Sequence, residues 1–288
     1  MLERSSQILI NGKFFPKNNC ETNLFNSAFS NGECVWEMFH TNASKILFFE
    51  SHIERLCTAM KFFGMEIPSK FSRDRLLLKE ELTKLLVKNK TFKGGKLFLY
   101  VYKKDFEQKS IFNTIDYASM VVQLSSPLYE INKTGLTLSI YNEITKPKNQ
   151  LSNFQTHVDS IIKKMAINYA QKERVDDTLI LNSENHIIES AIHGNIFLVK
   201  DKTILTPSLT EGCVNDVMRE NVINISKELG YQVEEQTPIT QEVIQNIDEL
   251  FFASTNCGIT WASALKNRRF YHSVVQNIFT KVNEIYME

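Results

Sequence analysis

The sequence predicts a mixed α/β fold arranged as two domains, and three observations predict it. The chain is 288 residues long, enough for a large core and for two domains. Strand-like and helix-like patterns alternate along its length and are not segregated into blocks. The patterning breaks near residues 125–135, which divides the chain into an N-terminal α/β domain, 1–128, and a C-terminal α/β domain, 129–288.

The elements follow in order. Gln7–Ile10, Asn11-Gly12 and Lys13–Phe15 predict a hairpin with a type I′ turn. Lys45–Phe49 predicts a strand. His52–Phe63 carries Ile53, Leu56, Met60 and Phe63 at helical spacing and stops at Gly64, a C-cap residue. Phe71–Lys88 predicts a second amphipathic helix. Lys96–Tyr102 and Ser119–Leu124 predict strands around a charged loop, Lys103–Ser110, and Leu136–Tyr141 predicts another. A loop then leads to a helix over Val158–Glu173. Short strands are expected at Leu179–Leu181, Ile187–Glu189, Asn195–Val199 and Thr203–Leu205. Helices over Asn215–Leu229 and Gln241–Asn246 and a strand over Glu249–Ala253 complete the second domain. No internal repeat or low-complexity segment is visible.

Composition excludes several classes. Hydrophobic residues make up 43% and charged residues 23%, ordinary for a globular protein. Lys plus Arg and Asp plus Glu are 33 each, so the chain has no nucleic-acid footprint. Cys20, Cys34, Cys57, Cys213 and Cys257 are scattered and odd in number, which predicts free thiols in a reducing compartment. The opening Met1-Leu-Glu-Arg-Ser-Ser has no signal-peptide pattern, and no apolar run approaches the ~20 residues that span a bilayer. A cytoplasmic protein without membrane contact is expected.

Five segments carry chemistry. Phe29-Ser-Asn-Gly-Glu-Cys-Val-Trp-Glu37 precedes Ile46–Leu56, which contains His52-Ile-Glu-Arg55. Ile187-Ile-Glu-Ser-Ala-Ile-His-Gly-Asn-Ile-Phe197 runs into Ile204–Glu220, where a Thr-Pro turn and Gly212 lead to a helix with Arg219 in its first turn. A helix start offers free N–H groups and partial positive charge, which suit a phosphate. Last comes Asp248–Trp261, with the polar turn Ser254-Thr255-Asn256.

In order and spacing these segments resemble the signatures of the class IV aminotransferases, the fold-type IV pyridoxal-phosphate (PLP) enzymes. The resemblance spans nearly the whole chain. The Gly212-Cys-Val-Asn-x-Val-Met-Arg219 wording and Gly258-Ile-x-Trp261 are most similar to the aminodeoxychorismate lyase branch. It implies a homodimer of two-domain, D-amino-acid-aminotransferase-like subunits, with the ancestral cofactor site in the C-terminal domain. A small molecule would bind in the interdomain cleft. Arg55 is then the phosphate-binding arginine, whose fork suits that geometry. Val217 and Met218 supply backbone N–H groups to the phosphate, and Ser254 and Thr255 complete its cup. Glu189 pairs with the pyridine nitrogen and keeps it protonated, so that the ring acts as an electron sink.

Three positions depart from the family pattern. In Leu151-Ser-Asn-Phe-Gln-Thr156, Gln155 stands where the family has its Schiff-base lysine. Among the nearest lysines, Lys148 precedes it and Lys163 follows about 12 Å further along the helix axis, by a rise of ~1.5 Å per residue. The segment from Glu189 to Asn195 is one residue longer than the family's, which leaves the carboxylate either in the family position or displaced. Asp216 replaces a glycine. It either turns outward as a helix-start charge or opposes a phosphate, two unit charges ~4 Å apart costing about 4 kcal/mol at an effective dielectric of ~20.

Lys163 and Lys164 are expected to face solvent, His157 to be an ordinary loop histidine, and Cys213 to have no nucleophilic role. Glutamine neither forms an imine nor serves as a proton-transfer base near neutral pH. The expectation is a class IV aminotransferase-like chain that lacks ordinary transaminase or lyase activity and binds PLP weakly and non-covalently, if it binds it. The alternative is an active aminotransferase, or an aminodeoxychorismate lyase making 4-aminobenzoate for folate, with an unconventional base.

Overall fold

The computed structural model describes residues 6–19, 26–104 and 114–287. Cys20, the opening residues 1–5 and positions 105–110 of the charged loop lie outside these. The chain divides into two compact units, Met1–Leu128 with Gln155–His157, and Tyr129–Phe154 with Val158–Glu288.

In the first unit the order is β1 (Gln7–Ile10), β2 (Lys13–Pro16), α1 (Ser27–Ser30), β3 (Cys34–Asn42), β4 (Lys45–Ile46), α2 (Phe49–Phe62), α3 (Ser69–Ser72), α4 (Arg75–Lys88), β5 (Gly94–Lys103) and β6 (Ile115–Leu124). The strands form an antiparallel sheet in the order β2-β1-β6-β5-β3-β4. Asn11 at φ 48° and Gly12 at φ 80° make the β1–β2 turn, the left-handed pair that a type I′ turn needs. α2 packs on β3 through Ile53, Leu56 and Met60, all fully buried, and α4 packs on β1 and β6.

Two sequence expectations fail here. The strand expected over Lys45–Phe49 stops at Ile46, because only Lys45 and Ile46 find partners on β3. Phe48 is left-handed at φ 50°, and the chain turns directly into α2. The helix expected over Phe71–Lys88 is two helices. Arg73 and Asp74 interrupt it, with Asp74 leaving helical geometry at ψ 40° ahead of α4.

The second unit contains β7 (Leu136–Lys146), α5 (His157–Glu173), β8 (Asp177–Asn182), β9 (Ile187–Ser190), β10 (Gly194–Lys200), β11 (Thr203–Leu205), α6 (Val217–Glu228), β12 (Gln232–Glu234), α7 (Gln241–Gln245), β13 (Glu249–Ser254), β14 (Gly258–Leu265), β15 (Arg268–Arg269) and α8 (Ser273–Met287). The strand path is β12-β11-β10-β13-β14-β7-β8-β9, and β9 pairs back onto β10. Six strands therefore close on themselves around Leu138, Leu181, Ile196, Leu198, Leu250, Phe252 and Ala262. Tyr141, Ala166, Ile180 and Ile188 form a separate cluster that includes α5. β7 runs beyond the expected Tyr141 to Lys146, and the chain continues past Ala253 into β14, β15 and α8. No helix among the described residues is long and apolar enough to cross a membrane.

Candidate functional site

The charged heart of the second unit is assembled from the ends of β7, β9 and α5. Pairing of β7 with β8 lapses after Tyr141 and resumes at Lys146 opposite Asn182, an irregularity that turns Lys146 inward. Its side chain is 1% exposed. Its ammonium has three acceptors, Glu189 Oε1 at 2.5 Å, Asp159 Oδ1 at 2.6 Å and the Ser152 carbonyl at 3.4 Å. Three donors thus meet three acceptors. Lys163, one turn along α5 from Asp159, reaches Asp159 Oδ2 at 3.0 Å and Glu189 Oε2 at 3.5 Å.

Glu189 is fully buried at the centre of this cluster. A register shift at Ile188 re-aims it, since Ile180 faces Glu189 while Leu181 faces Ile187. The residues that follow form a three-residue turn, Ala191–His193, and Glu189 pairs directly with Asn195. The Asp177 carboxylate holds that turn, accepting from Ile192 and His193 N–H groups and lying 2.7 Å from His193 Nδ1. Gly194 at φ 90° closes it, where a Cβ would lie 2.7 Å from Ser254 Cβ.

Burial pushes the Asp159 carboxyl up, but Lys163 and Lys146 outweigh it and hold it below its usual value. Burial likewise works to lower the Lys163 pKa, yet Asp159 and Glu189 raise it above the ordinary lysine value. Lys163 therefore corrects the sequence expectation of a solvent-facing charge. Its side chain is 21% exposed and ion-paired, because Asp159, Lys163, Ala166 and Ala170 share one stripe of α5 with Ile162. Lys164 does face solvent.

The second centre is Asp216, 5% exposed and at the N-cap of α6. One oxygen, Oδ1, accepts from the Met218 N–H at 2.8 Å, the Thr255 N–H at 3.0 Å and the Thr255 hydroxyl at 2.7 Å. Of the two alternatives read from sequence, the outward-turned charge is excluded by these contacts. Val217 opens α6 and is buried, and Ser254 Oγ accepts from the Cys257 N–H at 3.2 Å. The Tyr129 hydroxyl donates to the Thr255 carbonyl at 2.7 Å and so fixes the turn from behind.

The neighbouring residues brace this frame. Arg219 donates to the Pro207 carbonyl at 2.7 Å and to Glu235 at 2.8 Å. Gly212 at φ 89° passes so close to the preceding loop that a Cβ would lie 2.6 Å from the Pro147 carbonyl. Cys213 is buried, and burial pushes its thiol up to about 11, so it is no thiolate at neutral pH. Lys148 pairs with Glu184 at 2.7 Å and Glu211 at 2.9 Å.

Arg55 and Gln155 belong to the first unit. Arg55 makes a two-pronged pair with Glu37, Nε to Oε1 at 2.8 Å and Nη2 to Oε2 at 2.6 Å, and His52 Nδ1 lies 2.8 Å from Oε2. Gln155 is half-buried, and its Oε1 is a buried acceptor without a hydrogen-bond partner. Thr156 beside it bridges to Val35 of β3. His157 is exposed. Lys146 is the residue that sequence reading missed, since the strand expected there ended five residues earlier and nothing in the local pattern marks its inward turn.

Known proteins resemble this chain along nearly all of it. The family description "Amino-transferase class IV" matches residues 35–265. A candidate branched-chain-amino-acid aminotransferase of Methanocaldococcus jannaschii is 23% identical, over 96% of this chain and 94% of its own length. Among solved structures, the PLP form of the branched-chain amino acid aminotransferase of Thermobaculum terrenum superposes with a TM-score of 0.84 at 18% identity, covering 99% of this chain and 95% of that one. A candidate 4-amino-4-deoxychorismate lyase of Legionella pneumophila gives a TM-score of 0.76 at 21% identity, covering 93% and 97%. The mixed α/β fold expected from sequence is thus the fold of these structures.

Proposed function

The chain belongs to the class IV aminotransferase family, and we propose that it is a member without ordinary PLP-dependent transaminase or lyase activity. Family members bind pyridoxal phosphate. What supports the proposal is Gln155 in Leu151-Ser-Asn-Phe-Gln-Thr156, the segment in which the resemblance sets the Schiff-base lysine at position 155. An amide nitrogen does not attack an aldehyde carbon and does not take up a proton near neutral pH.

The residues present do not fit the cofactor at either polar end. Glu189, the partner expected for the ring nitrogen, already binds two ammonium groups. The Met218 and Thr255 donors expected for the phosphate already bind Asp216. Neither Lys146 nor Lys163 replaces the missing one. An ammonium in contact with the ring-nitrogen partner lies at the nitrogen end of the ring, away from the aldehyde that forms the imine. Lys163 is moreover held in its charged form, and only a neutral amine is nucleophilic.

The second reading, an active enzyme of the lyase branch with an unconventional base, draws on the Gly212–Arg219 wording and on the likeness to the Legionella chain. One experiment separates the two. The purified full chain is mixed with PLP, reduced with borohydride and mapped by peptide mass spectrometry, and is assayed with branched-chain amino acids, D-alanine and aminodeoxychorismate. The expected result is a colourless protein, no PLP fixed to any lysine and no turnover. PLP fixed to Lys146, Lys163 or another lysine, together with turnover, would establish the second reading.

A further inference from the structure

We infer that Asp216 is a built-in substitute for a bound phosphate: its carboxylate fills the anion cup between α6 and the Ser254–Asn256 turn, so the fold holds this joint closed without a cofactor. The inference rests on the reading above that Met218 and Thr255 are the cup's donors.

Three observations carry it. A phosphate in such a cup accepts from N–H groups at a helix start and from a hydroxyl-bearing turn. Here one carboxylate oxygen accepts from both elements, from the Met218 N–H on α6 and from the Thr255 N–H and hydroxyl beyond β13. Asp216 is buried, so its charge is stabilised by these donors and by the helix start more than by water. Behind Asp159 and Glu189, Asp216 also adds to the negative charge that holds the Lys163 pKa up against burial.

The joint is doubly anchored. Asp216 ties α6 to the turn from the front, and Tyr129 holds the Thr255 carbonyl from behind. A cofactor phosphate would make the first of these ties itself. With the tie made internally, an incoming phosphate loses its donors and meets a like charge. At ~4 Å and an effective dielectric of ~20 that repulsion corresponds to about a thousandfold in affinity.

The test uses the full chain, inorganic phosphate and PLP as probes, and chloride at matched ionic strength as the control. The melting temperature of the native protein is expected to be the same in phosphate and chloride. Asp216→Gly is expected to melt lower in chloride and to regain about 5 °C in phosphate at roughly a hundred times its dissociation constant. It should also retain PLP in equilibrium dialysis at least about tenfold better than the native chain. Phosphate stabilising the native chain as much as the variant, or not stabilising the variant, would overturn the inference. If Asp216→Gly does not fold in chloride, refolding in phosphate decides, with recovery supporting the inference and failure in both overturning it. No lysine enters this readout, so it can fail while the borohydride result stands, and the reverse.

Discussion

The two ends of the site in the second unit are filled by opposite means. At the cup, one carboxylate oxygen of Asp216 gathers neutral donors from two backbone segments and a hydroxyl. At Glu189, two ammonium groups and two carboxylates from β7, α5 and β9 neutralise one another in the interior. The first is a capping device that ties two segments 39 positions apart, and its loss removes hydrogen bonds from neutral donors and leaves no charge without a partner. The second is a buried ion network, in which loss of one member leaves charges without partners. The difference teaches where the molecule is fragile: the joint at Asp216 is tuned by one residue, while the Glu189 cluster is held by mutual dependence.

The largest expected effect comes from breaking that dependence. Lys146→Met keeps length and packing but leaves Asp159 and Glu189 with Lys163 alone. Removing one partner of a buried pair costs about 3–5 kcal/mol, against about 0.5–2 kcal/mol for loss of an N-cap such as Asp216. Chemical denaturation of Lys146→Met and Asp216→Ala side by side checks the ranking. Equal losses would mean that Lys163 relaxes to neutralise both carboxylates and that the two ends are not different in kind.

The response to pH sharpens the same contrast. Asp159 titrates below its ordinary value in the folded protein, so its contribution is present above the unfolded pKa and is lost as pH falls through the lower folded one. Stability of the native chain is therefore expected to hold down to about pH 4, near the ordinary aspartate value of 3.8, and to fall below it. Lys163 has the opposite sign: raised in the folded state, it stabilises below the unfolded lysine value and loses this only in strong alkali. In Lys146→Met the acid dependence should reverse, because two crowded carboxylates with one cation take up a proton more readily folded than unfolded. Urea midpoints of both proteins across pH 4–7 test this. Parallel profiles would show that Lys146 is not the group holding the cluster in its charged form.

How much of this was legible in the sequence differs between the two ends for a physical reason. Asp216 was half legible: its place at the start of α6 is a local capping signal, but its tie to Thr255, 39 positions away, is not written in Val214–Arg219, so its direction stayed open between two readings. The helices over α5 and α6 follow from hydrophobic periodicity, which sequence displays directly, whereas the closed strand path does not, since it runs through β14, which the sequence reading did not include. Lys146 does not stand out, because its burial depends on an interrupted pairing with β8 and on partners 13 and 43 positions away. Irregular strands reset the alternation on which sequence reading relies. The Asp159–Lys163 pair was not read, and Lys163 was expected to face solvent: α5 also carries Val158, Ile161 and Met165 on its exposed side, so apolar residues alone do not single out the stripe of Ile162, Ala166 and Ala170 on which the pair lies. The strand expected over Lys45–Phe49 failed through Phe48, whose left-handed backbone no propensity anticipates.

The smallest effect is expected from the position that carries the functional reading. Gln155 leaves its Oε1 without a hydrogen-bond partner, so Gln155→Lys breaks no bond at that oxygen, and its stability cost is the desolvation of one part-buried amine, which can shed its proton. It should also give little colour with PLP, although it puts a lysine at the position proposed for the family's. An amine anchors the cofactor usefully only when the ring is held within roughly 1 Å of the reacting geometry, and both ends that would hold the ring remain filled by Asp216 and Lys146. The double change Gln155→Lys with Asp216→Gly frees one end and should give clearly more visible absorbance and a borohydride-stable adduct at position 155. Absorbance and turnover from the single change would break the comparison, because a cofactor able to displace Asp216 and Lys146 unaided would show them to be weakly held placeholders. The glutamine alone would then separate this chain from an active enzyme.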